Sequence, residues 1–540
     1  MPYSPLERRI LAHYFSVVDP APHADVYLVR NLPPETAATL NGIYSRSPHS
    51  MRDNFLLRLE KGLEEGGRKL EDLAVPEAGG DEDWLAPVLA EKSGQFLKTY
   101  AIDHGHNSLR EGSWLHLAVE NVSQLVTRFI QRERRCSFEE SSTRYISFSH
   151  EGHWRDPDVM AAGGPPAEAY EATLRETFGF YGELLELLPA HLRRVRPRRD
   201  DEKPAAWERA LRAESFDAAR YMLTPALYTK WGMVADARTL AEIVVELQSH
   251  PLREFKIVGE RIKRQADLAV RTLLTHAREN AFLEAQHATL PGLARELRGR
   301  EAHPPAGRPS VTLLSCDPDL DTRLLASLLY EQCSIPFAEL HGRLGALGAG
   351  ERAKLYERAL AARGPRDALP PAFEGALPFE FEVLVDFGAY RDIGRHRKGL
   401  QQQQVLTVEH GYAVPSLVRE AGLEQRYREV LERSAERQQL VAKHSALAAG
   451  YVTPFAFLQR VRIVFDPRQV GYFIELRSAP EGHFSYRQVA LEMLELVRAK
   501  APLFASTIRA HEDPVLLGRL AAEQQADERR LRRMQAAGDA

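Results

Sequence analysis

Residues 131–145 read Q-R-E-R-R-C-S-F-E-E-S-S-T-R-Y, so four arginines (Arg132, Arg134, Arg135, Arg144) are interleaved with serine, threonine and tyrosine hydroxyls. A guanidinium fork grips phosphate oxygens two at a time, and each charge-assisted hydrogen bond of this kind contributes about 1.5–3 kcal/mol. The cluster suits the phosphate of a nucleotide. The same composition also suits a salt-bridged edge strand in which Glu139 and Glu140 neutralise the arginines, and composition does not choose between the two. A second cluster, Arg395-His396-Arg397, lies in the other half of the chain.

The elements that must carry these clusters recur in one order. An apolar-rich run feeds each of them, at 117–135 and at 379–398. An early helix ends near Tyr44 in one half and near Tyr330 in the other, and charged amphipathic helices are expected at 167–188 and 418–440. Then come R-Y-M-L-T-P at Arg220 and G-Y-V-T-P at Gly450, D-A-R-T-L at Asp236 and D-P-R-Q-V at Asp466, and E-L-Q-S-H-P at Glu246 against E-L-R-S-A-P at Glu475. Matches kept in order are the mark of an internal duplication. A long helical pattern ends near Glu284, and Pro and Gly then cluster before the strand-like stretch at Val311. The chain divides into a first module at 1–296, a linker at 297–309, a second, diverged module at 310–515, and a charged tail at 516–540 expected as frayed helix or disorder.

Spacing sharpens the chemistry. From Arg132 the chain reads R-x-R, seven residues, Ser142, then x-R-Y, with Arg144 as the last arginine. This resembles the flavin-dependent thymidylate synthase family, whose signature is R-H-R-x7-S, often extended by G-R-Y. Glu133 stands at the family's histidine and Thr143 at its frequent glycine. Upstream, His106, Ser108 and Glu111 in H-N-S-L-R-E resemble the family's flavin-touching H-x-S/T-x-x-E segment. Downstream, A-R-Y-M-L-T-P with Arg220 resembles A-R-x-x-L-P with one extra residue, and D-A-R-T-L with Arg238 resembles N-x-R-S-L. The second module keeps R-H-R intact, but Val405 replaces the serine and Gly450 the A-R arginine. It retains arginines at Arg468, Arg477 and Arg487 with the family's spacing.

The resemblance implies an α+β fold of two tandem modules and an enzyme that methylates dUMP at C5, with methylenetetrahydrofolate as carbon donor, NADPH as reductant and FAD as cofactor. It implies nucleotide binding by Arg132, Glu140, Ser142, Arg144, Arg220, Arg395 and Arg487. Flavin contacts are implied at His106, Ser108, Glu111, Arg134, Arg238, His396, Arg397 and Arg468. No covalent nucleophile is implied, since the position of Ser142 binds the nucleotide. Because the family builds its sites between subunits of a homotetramer, a tandem chain implies a homodimer of four modules, with composite sites from complementary remnants of both copies. Another pyrimidine nucleotide as substrate, or a degenerate nucleotide-binding scaffold, stays open.

Totals set outer bounds. The net charge of -4 argues against a general nucleic-acid binder. No apolar run approaches the roughly 18 residues of a membrane span, and the amino terminus lacks an export pattern. Cys136, Cys316 and Cys333 have neither disulfide nor metal-ligand spacing, which fits a reducing cytoplasm. Cys136 lies beside arginines that could activate a thiolate, yet outside the positions the family motif fixes, so a packed cysteine is favoured. The arginine-rich stretches at 193–199 and 529–533 sit beside acidic residues and read as solvated surface. The run Gln401 to Gln404 suggests no chemistry.

Overall fold

A computed structural model describes residues 3–31, 47–65, 69–72, 110–111, 114–144, 146–148, 152–298, 310–513 and 517–538. It holds two four-stranded antiparallel sheets. The first is formed by β1 (Asp25–Val29), β2 (Trp114–Ser123), β3 (Ser137–Glu140) and β4 (Tyr228–Asp236), the second by β5 (Ser310–Ser315), β6 (Phe379–Asp386), β7 (Leu400–Gln403) and β8 (Leu458–Phe465). Their strand orders are β1-β2-β4-β3 and β5-β6-β8-β7, the same path traced twice. Registers agree as well. Ser123 pairs with Tyr228 where Asp386 pairs with Leu458, and Ser137 pairs with Val234 where Leu400 pairs with Val464. The first sheet shifts register at Glu120/Val122, around Asn121, whose φ of 56° is the left-handed value that asparagine tolerates, and the second shifts instead on its other pair, at Leu313/Ser315.

Each arginine cluster is delivered by the same device. β2 ends at Ser123, whose hydroxyl caps Val126 N and starts the seven-residue helix Gln124–Ile130. β6 ends at Asp386, whose carboxylate caps Ala389 N and starts the seven-residue helix Phe387–Ile393. Ser and Asp favour this position because their side-chain oxygens satisfy amides the first turn leaves open. The turn after each helix carries R-x-R, and the chain then returns as edge strand β3 or β7. After β4 and β8 a second capped helix follows: Ala237–Gln248 from Asp236 and Pro467–Arg477 from Asp466. The expected duplication is present in both sheets and in the capped helices that follow β2, β4, β6 and β8.

Two compact units emerge, and they do not follow the copies one for one. The first comprises Met1–Glu171, Thr224–Ala302 and Leu440–Val452; the second comprises Ala172–Leu223, His303–Gln439 and Thr453–Ala540. Each unit thus takes in a segment from the other half of the sequence. In the second unit the inward faces of β6 and β8 (Phe379, Phe381, Val383, Val461, Ile463, Phe465) pack with Val489, Ala490 and Met493 of the helix Phe484–Lys500. In the first unit Phe15, Tyr27, Val29, Met51 and Phe55 form a core cluster.

Three helical stretches differ in extent from expectation. Helix Arg253–Val270 gives way to a turn of 3-10 helix, and a separate helix Ala281–Arg298 runs past Glu284. The helix expected at 418–440 is two, Ser416–Glu420 and Glu424–His444, because Gly422 takes a φ of 73° between them. The helix expected at 167–188 is longer, Gly164–Val195, and the tail contains the helix Leu520–Gly538, whose Glu523 and Asp527 receive Arg209. Among the described residues no helix is long and apolar enough to cross a membrane.

Candidate functional site

In the first unit the R-E-R turn faces outward, and Arg132 and the following Arg135 are matched by carboxylates. Arg132 lies over the Phe129 ring at 3.9 Å and pairs with Glu246 at 2.7 Å. Arg135 pairs with Glu242 and Glu133. Arg238 pairs with Glu111 at 2.6 Å, which brings together two of the residues expected to touch flavin. The acids are therefore those of the following helix rather than Glu139 and Glu140. Glu140 is buried and pairs instead with Arg128 from the capped helix. Such exposed pairs are worth only about 0–1 kcal/mol, so an incoming anion could displace them. Arg134 is exposed, Arg144 is buried, and Ser142 Oγ accepts from Arg144 N at 3.3 Å. Cys136 is buried. His106 and Ser108 lie outside the described residues.

The second unit holds Arg220, Arg395, His396, Arg397, Arg468 and Arg487. Along R-H-R the middle residue points inward: Arg395 is exposed, His396 buried and Arg397 half-buried. Arg468 gives Nε to the Leu369 carbonyl at 2.8 Å and pairs with Glu374. Arg487 donates to the carbonyls of Ser478, His511 and Asp513. Glu475, the counterpart of the Glu246 that neutralises Arg132, has both oxygens 2.9 Å from Arg363.

Arg220 comes from the first copy yet sits inside the second unit. It is 1% exposed, and both terminal nitrogens lie 3.4 Å from one oxygen of Asp392 in the helix leading to R-H-R. These are long contacts for a charge-assisted bond, and Nε has no partner. The corresponding place in the first unit is filled by Gly450, where an added Cβ would meet Leu125 at 3.6 Å. Asp392 corresponds to Phe129, six residues beyond each cap. Arginine with aspartate in one unit therefore replaces glycine with phenylalanine in the other.

Beside these positions each unit buries one carboxylate, one hydroxyl and one tyrosine. In the first, Ser123 donates N–H and O–H to Glu254 at 2.8 and 2.6 Å, and Tyr451 from the second copy donates at 2.8 Å. In the second the roles are exchanged. The cap is Asp386, the hydroxyl donor is Ser485, and the first copy's Tyr221 lies within reach of the Asp386 charge. A Cβ on Gly388 would come 2.9 Å from the Tyr221 ring, so only glycine admits the ring there. Sequence reasoning missed all six residues, since each looks locally like an ordinary cap, first-turn residue or core tyrosine.

Burial pushes the Glu254 carboxyl up to about 7, against the pull of its three donors. Because the folded-state value is raised, the folded protein keeps a proton that the unfolded chain gives up. The associated stability is complete below the ordinary carboxylate range and is lost as pH rises towards 7. Relative to Glu254→Gln, the wild-type protein should lose roughly 3 kcal/mol of stability between about pH 4 and about pH 7. Urea unfolding midpoints across that range measure it, and a pH-independent difference would contradict it.

Comparison with known families matches the thymidylate synthase complementing protein description over residues 73–269 and 372–503, one stretch in each copy. The chain belongs to this family. It is 27% identical over 524 residues to the UPF0159 protein of Chlamydia muridarum, covering 94% of this chain and 95% of that one. It is 26% identical over 512 residues to a UPF0159 protein of Chlamydia pneumoniae, covering 92% and 93%. Among solved structures, a UMP/dUMP methylase PolB from Streptomyces cacaoi bound with 5-Br dUMP aligns at 14% identity and a TM-score of 0.31, covering 38% of this chain and 96% of that one.

Proposed function

We propose that the protein is an FAD-dependent thymidylate synthase, transferring a one-carbon unit from methylenetetrahydrofolate to C5 of dUMP with NADPH as reductant. The observation that carries this reading is Arg220 of the first copy placed opposite Asp392, three residues before the R-H-R turn of the second. Two incomplete copies together supply one arginine-rich site that neither supplies alone. Arg220 is the candidate for the nucleotide phosphate or a pyrimidine carbonyl, because its buried guanidinium has donors that Asp392 leaves under-used. Arg144 and Ser142 offer a second nucleotide-binding loop in the first unit.

The donor set also fits FAD. Arg395 and Arg397 are two guanidinium groups on one turn, spaced around an inward histidine, and such a pair suits the pyrophosphate of a dinucleotide. When bound, FAD supplies the hydride that completes the methyl group. This chain's share is placement and charge. Arginines hold the nucleotide and stabilise negative charge developing on the pyrimidine as C5 becomes nucleophilic. A dimer would present four modules.

Tritium release from C5-tritiated dUMP, with methylenetetrahydrofolate and NADPH present, tests the reading. Arg395→Ala and Arg144→Ala should each cut turnover by about tenfold or more, as loss of a charge-assisted contact would, and Ser142→Ala should raise KM with the protein still folded. No tritium release from wild-type protein reconstituted with FAD would sink the proposal.

A further inference from the structure

The R-H-R turn is held by three side chains, Gln401, Gln469 and Arg477, of which only Arg477 lies at a position the family's motifs mark. Arg477 Nε donates to His396 Nε2 at 2.8 Å, and its Nη2 donates to the Asp392 carbonyl at 2.7 Å. The Gln469 carboxamide lies 3.0 Å from His396 Nδ1. Gln401 Nε2 donates to the carbonyls of His396 at 2.8 Å and Ile393 at 3.2 Å. A neutral imidazole has one acceptor nitrogen. Since His396 Nε2 accepts from Arg477, Nδ1 carries the proton, and the Gln469 amide, placed with its nitrogen 3.0 Å from Nδ1, is assigned the flipped orientation that turns its oxygen to that proton. The ring also packs edge-on to Phe473 at 4.8 Å. Both ring nitrogens and the carbonyls of Asp392, Ile393 and His396 are thus engaged by side chains of the protein itself.

The first copy lacks this arrangement as a set. Counting from the caps and helix ends, Glu133 replaces His396, Phe138 replaces Gln401, Thr239 replaces Gln469 and Gln248 replaces Arg477. Thr239 turns its hydroxyl back to its own cap, Asp236, at 2.7 Å, and Glu133 turns to Arg135. Where the histidine is lost its three holders are lost with it, and where it is kept all three are present. A histidine serving only as an exposed ligand contact would not require that concerted change.

The geometry points to Gln401, Gln469 and Arg477 as positioning residues that hold His396 as the keystone of the turn, so that Arg395 and Arg397 project at a fixed spacing toward the cofactor. This rests on the flavin reading above. His396 itself stays neutral: burial first, then Arg477, lower its pKa well below the usual value, with Arg395 and Arg397 acting the same way and Asp392 opposing them.

The test is FAD affinity of the full chain, followed by quenching of flavin fluorescence, with circular dichroism as a check on folding. Gln469→Leu, Arg477→Met and the milder edge-strand change Gln401→Asn should each weaken FAD about tenfold or more, as loss of outer partners of binding residues does. Wild-type affinity should be level between pH 5.5 and 8. In Gln469→Glu a carboxylate opposite Nδ1 favours imidazolium, which cannot accept from Arg477, so affinity should fall at the acid end. The Arg395→Ala/Arg397→Ala pair separates the two ideas. If that pair loses FAD while the clamp variants stay within twofold of wild type, the clamp is wrong and the flavin reading stands. Undiminished binding by the arginine pair overturns both. Wild-type affinity that drops as pH rises through about 6.5 would mean a charged His396 touching the cofactor, which also overturns the clamp. Should Arg477→Met fail to fold, Gln401→Asn and Gln469→Glu decide.

Discussion

Arg220→Met should weaken dUMP binding by roughly ten- to a hundredfold, the equivalent of about 1.5–3 kcal/mol for one charge-assisted contact. It should also destabilise the protein by up to about 3 kcal/mol, because it removes the cation facing Asp392 in a buried setting. The two effects have different causes, and a second substitution separates them. Adding Asp392→Leu removes the buried carboxylate, so the double variant should recover most of the stability and none of the affinity. Isothermal titration with dUMP and urea unfolding of the single and double variants measure both quantities. Recovery of affinity together with stability would show that Arg220 serves only the fold.

The same comparison predicts the fate of the pseudo-equivalent place. Gly450 stands against Leu125, and the aspartate's counterpart is Phe129, already occupied by the Arg132 guanidinium. An arginine at Gly450 would meet an apolar surface with no carboxylate opposite it. The first unit has therefore not merely lost one residue; its surroundings have been rebuilt without the facing carboxylate, around Leu125 and Phe129. A four-module dimer would on this account offer fewer phosphate-binding places than modules, which agrees with the complementary losses seen along the chain.

How far the sequence reaches can be judged residue by residue. The duplication was legible because caps, clusters and strand ends keep constant intervals: Ser123 to Arg132 and Asp386 to Arg395 are each nine residues. Those intervals are fixed by helix and strand geometry, so they survive divergence. The charge balance of the R-E-R turn was legible only in part. An acidic partner could be expected, but Glu242 and Glu246 reach Arg135 and Arg132 from a helix more than a hundred residues away, while nearby Glu140 is taken by Arg128. The exchange of segments was not legible. Tyr221 and Tyr451 each sit in a short apolar stretch, and nothing periodic tells which copy's carboxylate such a tyrosine will meet. Nor could Gln401, within a run of glutamines, be told from a solvated strand until its carboxamide was seen on the R-H-R carbonyls.

The exchanged carboxylates give the sharpest test of that hidden symmetry. Glu254→Leu should destabilise the protein by about 3–5 kcal/mol, because the Ser123 amide, the Ser123 hydroxyl and the Tyr451 hydroxyl all lose their acceptor while staying buried. Ser123→Asp alone should cost a similar amount near neutral pH, since it sets a further carboxylate against Glu254, which the Asp156 charge already opposes, and like charges so close cannot both ionise. The combination Ser123→Asp with Glu254→Ser recreates the arrangement the second unit already uses, with Asp386 at the cap and Ser485 on the facing helix. It restores one carboxylate, one hydroxyl and one tyrosine, and should recover at least half of the loss suffered by either single change. Chemical unfolding of the wild type, Ser123→Asp, Glu254→Ser and the double variant yields the coupling energy directly. If the losses of the single variants simply add in the double variant, the two sites are not inverted equivalents, and the match between Ser123 and Asp386 is only that of two helix caps.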